Sequence, residues 1–187
     1  MIEKSKHIII SIVTTFVVAM FFSCEGSLKE VQKSNLSSFV PVGEADSINL
    51  KYTDSGKILT TLVSPKMLDY SNIDNPFTEF PKGVLVSMYD KNGTITTTIK
   101  SDYAISYKKT DIIDLQGNVV IASNDGKKME TSQLYFDQKN EWFFTEKHFK
   151  YTDESGGYLE GPGVDFSKDF KIFNMQQSSG EVNTSDK

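Results

Sequence analysis

The chain has 187 residues, 38% hydrophobic, 24% charged and 12% aromatic. That is enough for one domain with a real core, and 13 Phe and 8 Tyr exclude a disordered polyelectrolyte. An excess of 25 Asp and Glu over 20 cations, net charge −5, argues against a nucleic-acid partner. All 20 cations are Lys, so bidentate Arg clamps on phosphate or carboxylate are absent. One Cys excludes an intrachain disulfide and a cysteine-based zinc site, and two His, His7 and His148, leave little for His-based catalysis. The composition therefore reads as a non-enzyme with no cofactor and no metal.

Residues 1–7 carry Lys4 and Lys6 against Glu3, and Ile8–Phe22 is an uncharged run of 15 residues. A membrane-crossing helix needs about 20 apolar residues, whereas a shorter run suits the h-region of a signal peptide. Ser23 and Cys24 follow at once. A small residue before the sole Cys is similar to a bacterial lipobox, which implies cleavage before Cys24 and acylation of Cys24 as a membrane anchor. The same residues also fit a short uncleaved anchor, or a plain secretory signal with an incidental Cys. Removing residues 1–23 takes away two Lys and one Glu, leaving 18 Lys against 24 acidic residues and a net charge of −6. Residues 24–47 read as a polar tether, residues 48–177 as the folded domain, and residues 178–187 as a tail.

From Ile48 onward the dominant period is two, the period of a strand. Val84, Val86 and Met88 alternate with their neighbours, as do Ile95, Thr97 and Ile99, then Tyr103, Ile105 and Tyr107. The same holds for Val119 and Ile121, Leu134 and Phe136, Trp142 and Phe144, Phe149 and Tyr151, Val164 and Phe166, and Phe170 and Ile172. Turn signals interrupt these runs at Asp54–Gly56, Asp90–Gly93, Asn124–Gly126 and Asp153–Gly157. No long helical period is present, so the fold class is all-β.

The turn glycines Gly56, Gly93, Gly126 and Gly156 stand 37, 33 and 30 residues apart. Aligning Gly56 on Gly93 lays Ser64 on Ser101, Leu68 on Ile105 and Tyr70 on Tyr107; Ser132 and Phe136 belong to a third copy, Val164 and Phe166 to a fourth. Two-stranded units that cannot bury their faces alone stack on their neighbours. The expected result is a β-jellyroll or β-taco: two antiparallel sheets, built from repeated hairpins, folded against each other. Its long edges must be covered or used.

Ile112–Ile121 (IIDLQGNVVI) is similar to the LxGNVxV strand pair of OstA-like proteins. Asp90–Tyr107, Met129–Asp137 and Trp142–Thr145 resemble strands of the LptC branch of that family. The resemblance covers about residues 46–175. It implies a membrane-anchored periplasmic relay that takes lipopolysaccharide from an inner-membrane ABC transporter and hands it to the next periplasmic jellyroll of a bridge to the outer membrane. Many members of the branch keep an uncleaved transmembrane helix, where this chain has Cys24. By the same resemblance the C-terminal edge, with Val164, Phe166, Phe170 and Ile172, meets the next bridge protein, by strand addition.

Acyl chains outside a bilayer cost about 0.8 kcal/mol per exposed CH₂, so the relay needs an apolar groove. The candidate lining is Val86, Ile95, Ile99, Tyr103, Ile105, Val119, Ile121, Leu134, Phe136, Trp142, Phe149 and Phe166. The same alternation also describes an ordinary core. A second reading is an envelope lipoprotein whose β-sandwich binds a protein or glycan without carrying lipid. Asp111, Asp114, Asp125, Asp137 and Asp153 suggest carboxylate pairs, but Asp in hairpin turns is expected for local backbone bonding. Gly161-Pro162-Gly163 lacks the helix and Lys of a phosphate loop and reads as a strand break.

Overall fold

The computed structural model describes residues 40–175 and 177–181. The apolar run Ile8–Phe22, the cleavage site and Cys24 lie outside the described residues. Fourteen strands follow one another: β1 (Gly43–Asp54), β2 (Lys57–Tyr70), β3 (Phe77–Phe80), β4 (Val84–Tyr89), β5 (Ile95–Ser101), β6 (Tyr103–Tyr107), β7 (Ile112–Ser123), β8 (Lys128–Asp137), β9 (Trp142–Thr145), β10 (Phe149–Thr152), β11 (Tyr158–Gly161), β12 (Val164–Ser167), β13 (Phe173–Met175) and β14 (Ser179–Glu181). Every pairing is antiparallel. The all-β jellyroll expected from the repeat is what the chain forms.

The long strands belong to two faces at once. The first half of β2 pairs with β4 and its second half with β3. The first half of β7 pairs with β6, and its second half with β5. The first half of β8 pairs with β10, and its second half with β9. One face therefore runs β1-β2-β4-β5-β7-β8-β10-β11-β14, and the other β1-β2-β3-β6-β7-β8-β9-β12-β13. The two are joined along a crease.

The repeat has a direct structural meaning. Each copy starts at a turn on one lip, crosses the crease, turns on the opposite lip and crosses back. Gly56, Gly93, Gly126 and Gly156 sit in the first set of turns, all with φ between +78° and +92°. Asp90 and Asp153 brace two of these turns: the Asp90 carboxylate accepts from the amides of Asn92 and Thr94, and that of Asp153 from Ser155 and Gly157.

Crossing the crease requires close backbone approach. Gly83 has φ +81°, and a Cβ there would lie 2.4 Å from the Ser101 carbonyl oxygen. The Ser64 hydroxyl is buried beside it and donates to the Gly83 carbonyl at 2.7 Å. In β7, Gly117 and Asn118 both take positive φ, and the register with β8 shifts there. The Asp102 amide donates to the carbonyls of Gln116 and Gly117, and Asn118 Nδ2 donates to the Asp102 carboxylate at 2.6 Å. Thus the Gly-Asn pair within the LxGN string is a bend device. Gly161-Pro162-Gly163 is the equivalent break between β11 and β12, where a Cβ on Gly163 would press on the Thr145 carbonyl at 3.2 Å.

Two boundaries differ from the sequence reading. β1 begins at Gly43, ahead of Ile48, because Gly43–Asp46 pair with Lys66–Asp69 along a solvated edge that needs no apolar alternation. Ser179–Glu181, read as part of a tail, pairs with Tyr158–Glu160.

The crease predicts a contrast between two glycines. Gly83→Ala is expected to lower stability by about 2–4 kcal/mol, through its backbone clash and left-handed φ. Gly56→Ala, with open space around it, is expected to cost about 1 kcal/mol. Denaturant unfolding of both variants checks the ranking.

Candidate functional site

Strand alternation sends one set of side chains between the two faces. Leu62, Val86 and Ile99 come from the first face, and Phe80, Leu115 and Phe136 from the second. Toward β1 they do not meet completely and leave a cavity of about 580 Å³, a size suited to a small apolar ligand. Its mouth lies at β1, where Leu50 is 47% and Tyr52 67% exposed. Toward β13 the space is filled. Phe136 stacks on Phe143 at 4.4 Å, Phe143 on Phe166 at 5.2 Å, and Phe166 on Phe173 at 5.3 Å. Tyr151 closes on Phe173 from the opposite face at 5.1 Å. The interior is open at one end and aromatic-packed at the other.

The residues expected in the groove are distributed unevenly. Val86, Ile99 and Phe136 line the cavity. Val119, Ile121, Leu134, Phe149 and Phe166 are fully buried in the packed core. Ile95, 43% exposed, stands at the lip beyond the cavity. Trp142 lines a separate cleft of about 630 Å³ between the lips, and its Nε1 donates to Asp165 Oδ2 at 3.1 Å.

Tyr103 and Ile105 are corrected: they lie on the outer surface, and Ala104 and Ser106 face the cavity in their place. The cause is a parity change at the crease. Thr97 and Ile99 point inward on β5, whereas Ala104 and Ser106 do so on β6, because Asp102 adds one residue at the bend. The same change separates Leu62 from Met67 in β2 and Met129 from Leu134 in β8. A parity-corrected reading of the repeat would have selected Phe80, Ala104 and Leu115, which the sequence analysis missed. The small inward side chains of β6 hid them behind the bulkier Tyr103 and Tyr107.

The expected docking edge needs a similar correction. Val164 and Phe166 lie on β12, which is paired with both β9 and β13 and so is interior. Phe170 is packed into the core, and only Ile172, at 54%, is exposed. Among the described residues, β13 and β14 are the terminal strands of the two faces at this end.

The carboxylates take structural positions. Asp114 is 5% exposed and accepts hydrogen bonds from Gln116 Nε2 at 2.7 Å and Gln133 Nε2 at 2.9 Å. Asp137 accepts from the Asn140 amide and side chain, which holds its pKa below the usual range. Asp153 is lowered first by its Ser155 hydroxyl bond. His148 presents its carbonyl to Thr131 Oγ1 at the crease. On the outer surface the Tyr103 hydroxyl donates to Glu79 Oε1 at 2.8 Å. Burial, then this bond to Glu79, pushes the Tyr103 pKa far up.

A raised tyrosine pKa stabilises the fold fully below the ordinary tyrosine value of about 10, and the contribution is lost as pH rises above it. The melting temperature is therefore expected to fall above about pH 10. Tyr103→Phe is expected to flatten that fall. Thermal melts across the alkaline range check both.

The family model described as "Lipopolysaccharide-assembly, LptC-related" matches residues 8–179. A comparison with curated proteins found no match. The match spans the whole jellyroll up to the start of β14, and the chain belongs to the LptC-related family of periplasmic components of lipopolysaccharide transport.

Proposed function

We propose that the chain is a membrane-anchored relay that shields the acyl chains of lipopolysaccharide in the cavity between its two faces. It receives the lipid from an inner-membrane ABC transporter and passes it to the next jellyroll of the bridge. The family is one of transport, not of enzymes. The observation that carries the reading is the cavity of about 580 Å³ lined by Val86, Ile99, Phe136 and their neighbours, with its mouth at β1. A closed core would hold nothing. A cavity continuous with an apolar mouth takes in acyl chains, each buried CH₂ contributing about 0.8 kcal/mol.

Directionality comes from the transporter's ATP hydrolysis. Acylated Cys24 holds the domain at the periplasmic surface of the inner membrane, where several acyl chains give stable anchoring. Among the described residues, the strands at the two ends, β1 on one side and β13 and β14 on the other, have one edge unpaired and offer it for strand addition by the transporter and the next bridge protein.

Photo-crosslinkers at Val86, Ile99 and Phe136 are expected to trap lipopolysaccharide when transporter and ATP are present. The same probe at Tyr103 or Ile105, on the outer surface, is expected to trap none. Absence of adducts at all three cavity positions would remove the lipid-groove reading.

A further inference from the structure

Between the cleft of about 630 Å³ and the aromatic-filled end stands one turn, Ser167–Ile172. Its Phe170 is 8% exposed and has φ +57°. A bulky side chain in the left-handed region is held only where the surroundings over-determine it. The other left-handed positions on this lip, Asp111 and Glu141, are exposed polar residues. Phe170 instead turns its ring inward, 5.2 Å from Phe166 and 6.5 Å from Tyr151, between side chains of opposite faces.

The turn is self-contained. The Phe170 amide donates to the Ser167 carbonyl, and Ser167 Oγ accepts from the amides of Lys171 and Ile172. Among the described residues, Lys168 ties it to the neighbouring lip turn. Its amide donates to the Glu141 carbonyl at 3.0 Å, and its Nζ pairs with Glu141 Oε1 at 2.7 Å. Glu141, Lys168 and Met88 line both the open cavity and the cleft that contains Phe170. They form the partition between the two spaces.

We propose that Phe170, latched by the Lys168–Glu141 pair, is a gate across the inter-sheet space. Closed, it confines an acyl chain to the β1 side. Swung out with its turn, it vacates the place of its ring beside Phe166 and Tyr151 and lets the chain move on toward the β13 end. This rests on the lipid-groove reading above.

The test uses the full chain with its transporter, ATP and lipopolysaccharide. Glu141→Cys and Lys168→Cys are combined, since the backbone bond from Lys168 to Glu141 brings the two turns together at these residues. Photo-crosslinkers are placed at Val86, before the gate, and at Leu159, in register with Tyr151 beyond it. Oxidation is expected to leave the Val86 adduct unchanged and to lower the Leu159 adduct by about tenfold, with recovery on reduction. Because the same molecules are compared oxidised and reduced, folding is held constant. Phe170→Ala is expected to raise the Leu159 adduct. Equal Leu159 adducts in both redox states would overturn the gate, as would a Val86 adduct with no Leu159 adduct in any variant. Loss of both adducts in the reduced protein would instead overturn the lipid-groove reading, and the gate with it.

Discussion

The crease is the constraint on which the rest of this structure depends. Strands that pair on both faces must turn sharply while keeping their backbone groups bonded. The chain does this with residues that allow close approach or left-handed φ: Gly83 against the Ser101 carbonyl, Gly117 and Asn118 in β7, Gly163 against Thr145. Polar side chains then satisfy the groups the bend leaves open. Ser64 bonds the Gly83 carbonyl, and Thr131 bonds the His148 carbonyl. Thr145 Oγ1 donates to the Gln133 carbonyl at 2.7 Å. The hydroxyls of Ser64, Thr131 and Thr145 are therefore structural parts of the crease.

The crease also decides which side chains meet. Each passage from the first face to the second changes the inward parity, as from Ile99 to Ala104 and from Met129 to Leu134. The return passages keep it, as from Leu115 to Val119 and from Phe143 to Phe149. This alternation of changed and kept parity repeats through the copies and keeps the apolar sets opposed. Volume then sets the character of each end. Ala104 and Ser106 leave room on the β1 side, while Phe143, Phe166, Phe170 and Phe173 fill the β13 side. One repeated architecture thus yields a cavity and a packed core in the same layer.

The lips are where the acidic residues are used. Asp90, Asp137 and Asp153 accept backbone amides inside their turns. Asp169 pairs with Lys171 and accepts from Ser167, which together lower its pKa to about 2. Asp137 and Asp169 fix the turns that carry Glu141 and Lys168 at the cavity boundary and Phe170 at the cleft.

Much of this was legible without coordinates. Period-two alternation, the recurring turn glycines and the LxGN string announced an all-β jellyroll of repeated units, because hairpin turns and pleated faces leave local marks. The site was legible only in part. Val86, Ile99 and Phe136 line the cavity, but Tyr103 and Ile105 do not, and Val164 and Phe166 are interior to their sheet. Alternation says which residues share a side and not which side that is. A single residue added at a bend, such as Asp102, reverses the answer. By itself the sequence determined the class, the repeat and the apolar supply. Only the tertiary structure decided where the two faces separate into a cavity and where aromatic rings close it, because that depends on the summed volumes of side chains brought together from strands far apart in the chain.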